Sequence, residues 1–269
     1  MIKKLTIILA AGLLAAGAFA QPRLVAHRGG RYEVEENTLP AFASALEAGI
    51  TGYELDVHIT ADGEYVIMHD SNVSRMCGSD GVIEKMTLAE LRALKTLKGN
   101  LIPTLSEVLA LFNRYEGIYV EFEMKTTSKD LYPENLLHKY VEDVVAAVYA
   151  AKPANSLYLC TSFDTRVLCY IHNRHPEVPL GYITAEGCTE KTRAIAATIG
   201  TNRLMCHRAK TTLVDMEAAH KEGMLINLWP NGTVEDVRLS YALGADYICT
   251  DIPRKVAAVI KEESLGITP

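Results

Sequence analysis

Residues 23–56 read RLVAHRGGRYEVEENTLPAFASALEAGITGYELD, and they hold the unit from which the rest of the chain is built. RLVAH is a short β-rich run, and GYELD is another. Between them Asn37-Thr38 offers a helix cap, Pro40 stands in the first turn, Phe42, Ala45 and Leu46 share one face, and Gly49 supplies a stop. The order is strand, helix, strand. The rhythm continues through GIYVEFEM, SLYLCTS, PLGYIT, RLMCH, LINLW and DYICTD, which gives eight strand candidates, with helical patterns at 141–151, 215–223 and 235–244. Alternation of this kind implies parallel strands joined by helical crossovers. Eight such units in about 250 residues fit an α/β fold of the TIM (β/α)8 barrel type better than an open doubly wound sheet.

The rhythm breaks once. After GYELDV the chain continues HITADGEYVIMHD, and Asp62-Gly63 marks a tight turn, so the second strand is expected to overshoot the barrel rim and return as a hairpin. A two-residue turn there would put Asp56 opposite His69. From about 71 to 116 no barrel strand is legible, but CGSDG and two T-x-x-E capping boxes, at Thr87 and Thr104, precede LRAL and VLALF. This reads as a small inserted segment with short helices beside the barrel mouth.

The first residues, M-I-K-K followed by an apolar run to Ala18 and then Ala18-Phe19-Ala20, have the pattern of a cleavable signal peptide over 1–20. The run is shorter than the roughly 18–20 residues a bilayer span needs, so stable membrane insertion is not expected. The expectation is an exported chain, periplasmic or secreted, whose residues 21–269 form a single barrel domain. A net charge of −6 without basic runs argues against nucleic acid or an anionic membrane as main partner. Of the six cysteines, Cys160, Cys206 and Cys249 lie in strand-like runs and read as small buried hydrophobes, whereas Cys77 and Cys188 lie in loop-like sequence and are better candidates for oxidation. Their spacing pairs none of them.

In such a barrel the chemistry gathers at the carboxyl ends of the strands. Polar residues there include His27 and Arg28, Glu54 and Asp56, Glu121, Glu123 and Lys125, Ser162 and Asp164, Trp229, and Asp251. Side chains alternate along a strand, so Glu54 and Asp56 share a face, as do Glu121 and Glu123. Carboxylates facing one another repel unless positive charge lies between them, and an all-oxygen donor set points to a hard divalent cation, Mg2+ or Ca2+. His27 and His69 suit general acid and base work near neutral pH, and Arg28 and Lys125 offer fixed charge for phosphate oxygens. Glu121 competes with Glu123 as a ligand. His58 reads as a structural residue of the hairpin, His207 as rim packing, Ser162 as a cap or loop residue without a nucleophile elbow, and Asp251 as the close of the last strand.

The segments AHRGG, EENTLPAF, GYELDVHITADGEYVIMHD, TLAELRAL, IPTLSEVL, VEFEMK, SFD, NLW and CTDIP, in this order, resemble the glycerophosphodiester phosphodiesterases over essentially the whole mature chain. The resemblance implies a TIM barrel with an inserted segment, one divalent cation, and hydrolysis of glycerophosphodiesters to glycerol 3-phosphate and an alcohol. Matched motif by motif, it implies His27 and His69 as general acid and base, Glu54, Asp56 and Glu123 as metal ligands, and Arg28 and Lys125 as phosphate contacts. Glu36 of E-N-T matches a polar residue lining the site, and Trp229 an apolar wall for the glycerol moiety. The chain departs from the family where Trp229 is followed by Pro230-Asn231-Gly232 instead of the usual T-V-N. Two rivals remain: a phospholipase C or D acting on lipid head groups, and an exported phosphate-ligand binding barrel without turnover.

Overall fold

The computed structural model describes residues 21–269; the expected signal peptide falls on 1–20, outside them. The strands are β1 (Arg23–His27), β2 (Gly52–Ile59), β3 (Tyr65–Ile67), β4 (Tyr119–Met124), β5 (Leu157–Ser162), β6 (Leu180–Thr184), β7 (Arg203–His207), β8 (Leu225–Asn231) and β9 (Tyr247–Thr250). Eight of them pair in parallel around a closed ring, β1-β2-β4-β5-β6-β7-β8-β9 and back to β1. These are the eight runs legible in the sequence. The ring, with helices outside it, is the expected TIM barrel.

Two periodicities build the layers. On β1, β2 and β4 the residues Leu24, Ala26, Tyr53, Leu55, Val57, Val120 and Phe122 face outward into the main core, while Val25, Tyr119, Leu159, Ile183, Met205 and Cys249 fill the barrel lumen. Tyr119 and Tyr247 stack there at 4.5 Å. The surrounding helices include α1 (Leu39–Glu47), α2 (Ser74–Cys77), α3 (Leu88–Ala93), α4 (Leu105–Phe112), α5 (Glu134–Ala151) and α6 (Thr165–Arg174). Thr38 caps α1, and Pro40 stands in its first turn. Phe112 of α4 packs on Phe42 of α1 and Tyr53 of β2 with ring centroids 5.4 and 4.8 Å away. Fully buried, it holds α1 and α4 to the barrel, and truncating it to alanine would cost about 3–5 kcal/mol.

β3 stands outside the ring, antiparallel to β2, so the hairpin is present, but its register corrects the expected one. Val57 pairs with Ile67, and Asp56 therefore stands opposite Met68, not His69. The turn explains the shift. Thr60 N donates to Glu64 O at 2.8 Å, closing a three-residue loop, Ala61-Asp62-Gly63, with Gly63 at φ +87°. One extra loop residue moves every partner by one and reverses the parity of the returning strand. Val66 and Met68 consequently face a second small core with Val73, Met76, Ile83, Leu91 and Ile102, which anchors the segment carrying α2 and α3. Both foreseen capping boxes form, Thr87 with Glu90 and Thr104 with Glu107. α4 packs between α1 and α5, in the layer of barrel helices.

Candidate active site

β1 ends in His27, and the chain turns sharply after it. Arg28, Gly29 and Gly30 have φ of 52°, 80° and 102°. A Cβ on Gly29 would meet Ala41 at 2.8 Å, and one on Gly30 would meet Pro253 at 2.7 Å, so the turn needs glycine on both counts. The turn brings the Arg28 backbone N–H to Glu54 Oε2 at 3.0 Å and aims the guanidinium at Asp56, with Nε 3.5 Å from Oδ2. Glu36 Oε1 holds Arg28 Nη1 at 3.1 Å, and Asn37 Nδ2 donates to Asp56 Oδ2 at 2.7 Å. E-N-T thus spends its first residue on the arginine, its second on the carboxylate and its third on capping α1.

The parallel register sets Glu54 beside Glu121 and Asp56 beside Glu123. Glu54, Asp56 and Glu123 bring one carboxylate oxygen each within 4.8 Å of one another, all buried. Burial and the charge of Asp56 push the Glu54 carboxyl well up from its ordinary value, and burial does the same to Glu123. Asp56 goes the other way, because Lys125 and Arg28 more than reverse the effect of burial. Lys125 Nζ lies 2.7 Å from Glu123 Oε1 and 3.4 Å from Asp56 Oδ1. Two atoms of the cluster, Glu54 Oε1 and Asp56 Oδ1, are buried without a hydrogen-bond partner among the described residues. Orphaned carboxylate oxygens converging on one point, with all-oxygen donors, fit a hard divalent cation. Glu121 is separately employed: its Oε1 accepts from Asn227 Nδ2 at 2.8 Å and from the Tyr119 hydroxyl, and burial raises its pKa to about 7.

Both histidines reach the same cleft, of about 480 Å³, with His27, Arg28, Glu54, His69, Glu121 and Glu123 on its polar side. His69 arrives by a route the sequence reading did not foresee. After Met68 the chain leaves the ladder and bends at His69, and His58 Nε2 meets His69 O at 3.3 Å. Each ring is then held the same way. His27 Nδ1 lies 2.5 Å from Asp251 Oδ1, and His69 Nδ1 lies 2.6 Å from Asp70 Oδ1. Burial would raise both aspartates, but their hydrogen bonds to cationic and imidazole groups pull them below the ordinary carboxylate range. Ionised carboxylates only accept, so each Nδ1 donates and each Nε2 is left for the cleft. His27 Nε2 stands 3.9 Å from Glu54 Oε2. Burial lowers the pKa of both imidazoles.

The opposite wall is apolar, made by Phe163, Ile183, Met205, Trp229 and Cys249. Trp229 Nε1 is spent on Met205 O at 3.2 Å, and its ring packs edge-on with Phe163 and His207. One half of the cleft thus offers charge and proton donors, and the other offers hydrocarbon.

The chain matches the model of the glycerophosphoryl diester phosphodiesterase family over residues 27–255. It belongs to that family. A glycerophosphodiester phosphodiesterase of Caldanaerobacter subterraneus is 27% identical over 89% of this chain and 98% of its own. One of Bacillus altitudinis is 26% identical over 90% and 98%. A solved structure from Silicibacter pomeroyi superimposes with a TM-score of 0.82 at 25% identity, covering 93% of this chain and 95% of that one. An Oleispira antarctica phosphodiesterase, solved with its product sn-glycerol-3-phosphate, gives 0.81 at 26%, covering 90% and 97%. The chain is therefore a glycerophosphodiester phosphodiesterase, a phosphoric diester hydrolase, as its motifs implied.

Of the residues singled out in the sequence, His27, Arg28, Glu54, His69, Glu123 and Trp229 border the cleft, and Asp56 and Lys125 complete the carboxylate cluster. Glu36 borders a smaller adjoining cavity with His69 and acts through Arg28 and Arg75, whose Nη2 it holds at 2.6 Å. Asp251, Asp70 and Asn37 are the residues whose tasks were missed. The sequence alone reads Asp251 as the close of its strand, and the only signal for its task is its place after ICT at a carboxyl end.

Proposed function

We propose that the enzyme hydrolyses glycerophosphodiesters to glycerol 3-phosphate and an alcohol, that the reaction depends on one divalent cation, and that His27 and His69 serve as its acid and base. Glu54, Asp56 and Glu123 would hold the cation. Bound there, Mg2+ or Ca2+ supplies charge that offsets the carboxylates and polarises the phosphoryl group. The rest is done by the chain's own groups. Arg28 and Lys125, each tied to the carboxylate cluster, balance the remaining phosphate charge. One Nε2 takes a proton from the attacking oxygen, and the other gives one to the leaving alkoxide. Asp251 and Asp70 hold both rings by Nδ1–H, so that Nε2 faces the cleft, bare on the base and protonated on the acid, whose imidazolium its aspartate balances. Trp229 and Phe163 exclude water from the opposite wall and cover the carbon skeleton of the substrate.

The observation that carries this reading is the pair of aspartate-held imidazoles bordering one cleft with a buried three-carboxylate cluster. We further propose that residues 1–20 are removed on export, so that the working enzyme is the 21–269 domain, periplasmic or secreted. The test is a metal-titrated hydrolysis panel of glycerophosphocholine, glycerophosphoethanolamine, glycerophosphoglycerol and glycerophosphoinositol. Release of alcohol that stops with chelator and returns with Mg2+ or Ca2+ is expected. Turnover indifferent to chelation, or restored by zinc alone, would refute the metal assignment, and wild-type-like turnover in His27→Ala or His69→Ala would refute the roles of the histidines.

A further inference from the structure

Two cysteines, neither used by the chemistry above, meet beside the barrel. Cys206 lies on β7, paired with Thr184 of β6, and turns outward into the core beneath the helices. Cys188 follows β6 and immediately precedes Thr189, the cap of the ten-residue helix α7 (Glu190–Ile199). Three bonds draw its loop back over the end of β7. His207 N donates to Glu186 O at 2.9 Å, Cys188 N donates to Thr211 Oγ1 at 3.1 Å, and the same hydroxyl donates to His207 O at 3.0 Å. Cys188 Sγ donates to Asp215 O at 3.9 Å, and Cys206 lies close enough to perturb the Cys188 thiol, both inside one buried cluster.

We propose that Cys188 and Cys206 form a disulfide when the chain folds in an oxidising environment, clamping the β6–α7 loop to β7. The oxidant is a small or protein disulfide. The Cys188 thiolate attacks one of its sulfurs, forming a mixed disulfide and expelling one thiolate. The Cys206 thiolate then attacks Cys188 Sγ, forming the internal bond and expelling the second. The oxidant leaves as two thiols, which take up the two protons lost by the cysteines. Cys188 is suited to attack first. It stands at the N-terminal end of a helix, and Arg193, whose Nη1 donates to Cys188 O at 2.9 Å, lies beside it. The neighbouring Cys206 thiol and then the Arg193 charge hold its thiol below the ordinary value, while burial pushes Cys206 up. The clamp reaches the cleft, because His207 follows Cys206 and its ring packs on Trp229 at 5.5 Å.

The test counts thiols in the full chain. Protein refolded with oxidised and reduced glutathione, and separately with reductant alone, is denatured, alkylated, weighed and peptide-mapped. The reduced sample should carry six alkylated cysteines and the oxidised sample four, with one peptide pair joining Cys188 to Cys206. Oxidation should also raise Tm by roughly 5–10 °C, and this rise should vanish in the Cys188→Ser, Cys206→Ser double variant. Six alkylated cysteines after oxidation, or a link between any other pair, overturns the proposal. A mapped link without a Tm rise overturns the clamp. If the double variant does not fold, the wild-type count and map still decide.

Discussion

Replacing Asp251 by asparagine tests how His27 is held, because the exchange keeps shape and removes only charge. The carboxylate is almost wholly buried, 2.5 Å from His27 Nδ1 through Oδ1, and the same oxygen lies 2.9 Å from Arg31 Nε. An amide offers one acceptor where the carboxylate offered two, and its NH2 group opposes any donor it meets. Both contacts use Oδ1, so an amide oxygen at that place keeps them and only the negative charge is lost. The loss is largest in the step where the imidazole becomes cationic, since the anion that balanced it is gone while Arg31 remains. A charge-assisted hydrogen bond contributes about 1.5–3 kcal/mol, which at ~1.4 kcal/mol per factor of ten lowers kcat by about 10- to 150-fold. KM should stay within about threefold, because Asp251 stands behind His27 and does not border the cleft. Steady-state hydrolysis of a glycerophosphodiester measures both constants, and calorimetric titration with Mg2+ or Ca2+ checks that cation affinity is unchanged. A kcat within twofold of wild type would refute the positioning role. A tenfold loss of cation affinity would show that Asp251 acts through the carboxylate cluster instead.

Glu54→Gln removes one of three mutually repelling buried carboxylates, so the metal-free protein should melt at a higher temperature than wild type while losing the Tm rise that added Mg2+ or Ca2+ produces; differential scanning fluorimetry reads both. Acid should loosen the inserted segment at Glu84: burial raises its carboxyl, but hydrogen bonds from His58 and Ser71 reverse this and hold it below the ordinary 4.5. A lowered folded pKa means stability that is complete above about pH 4.5 and lost as pH falls through the folded value, so wild-type Tm should fall below that pH and the Glu84→Gln protein should show a flatter profile. His58→Ala leaves Glu84 Oε1 and the His69 carbonyl without this partner, which should cost about 1–3 kcal/mol in urea denaturation and reduce kcat more than it changes KM.

The barrel was legible because its signals are local and repeated. Each strand is an apolar run with turn residues on either side, and a cap such as Thr38 or Thr104 satisfies its own helix whatever the surroundings. The shared inward face of Glu54 and Asp56 was legible for the same reason, as side-chain alternation depends on nothing outside the strand. The register of β2 with β3 was not. It turned on whether the loop holds two residues or three, a choice made by Gly63 adopting φ +87° and by Thr60 closing on Glu64, and A-D-G is compatible with both. Asp251 was missed because its task appears only when distant strands close the ring: it meets His27 across 224 residues of chain.

That error of register reveals what the inserted segment contributes. Had the ladder continued, strict alternation would have turned His69 away from the face that carries Asp56, so something other than the sheet must set its position. Groups from the insertion and the hairpin supply it. Glu84 Oε1 accepts from His58 Nδ1 at 2.7 Å and from the Tyr132 hydroxyl at 2.8 Å, and His58 Nε2 in turn meets His69 O. On the other side Asp70 binds His69 Nδ1 and Arg75 Nε, Arg75 binds Glu36, and Glu36 binds Arg28. A continuous chain of charged hydrogen bonds thus runs from one imidazole to the arginine that meets Asp56. Arg75 belongs to α2, inside the inserted segment, so displacing that helix would disturb His69 and Arg28 together. The segment is therefore built into the candidate site through its hydrogen bonds to the hairpin and to Glu36.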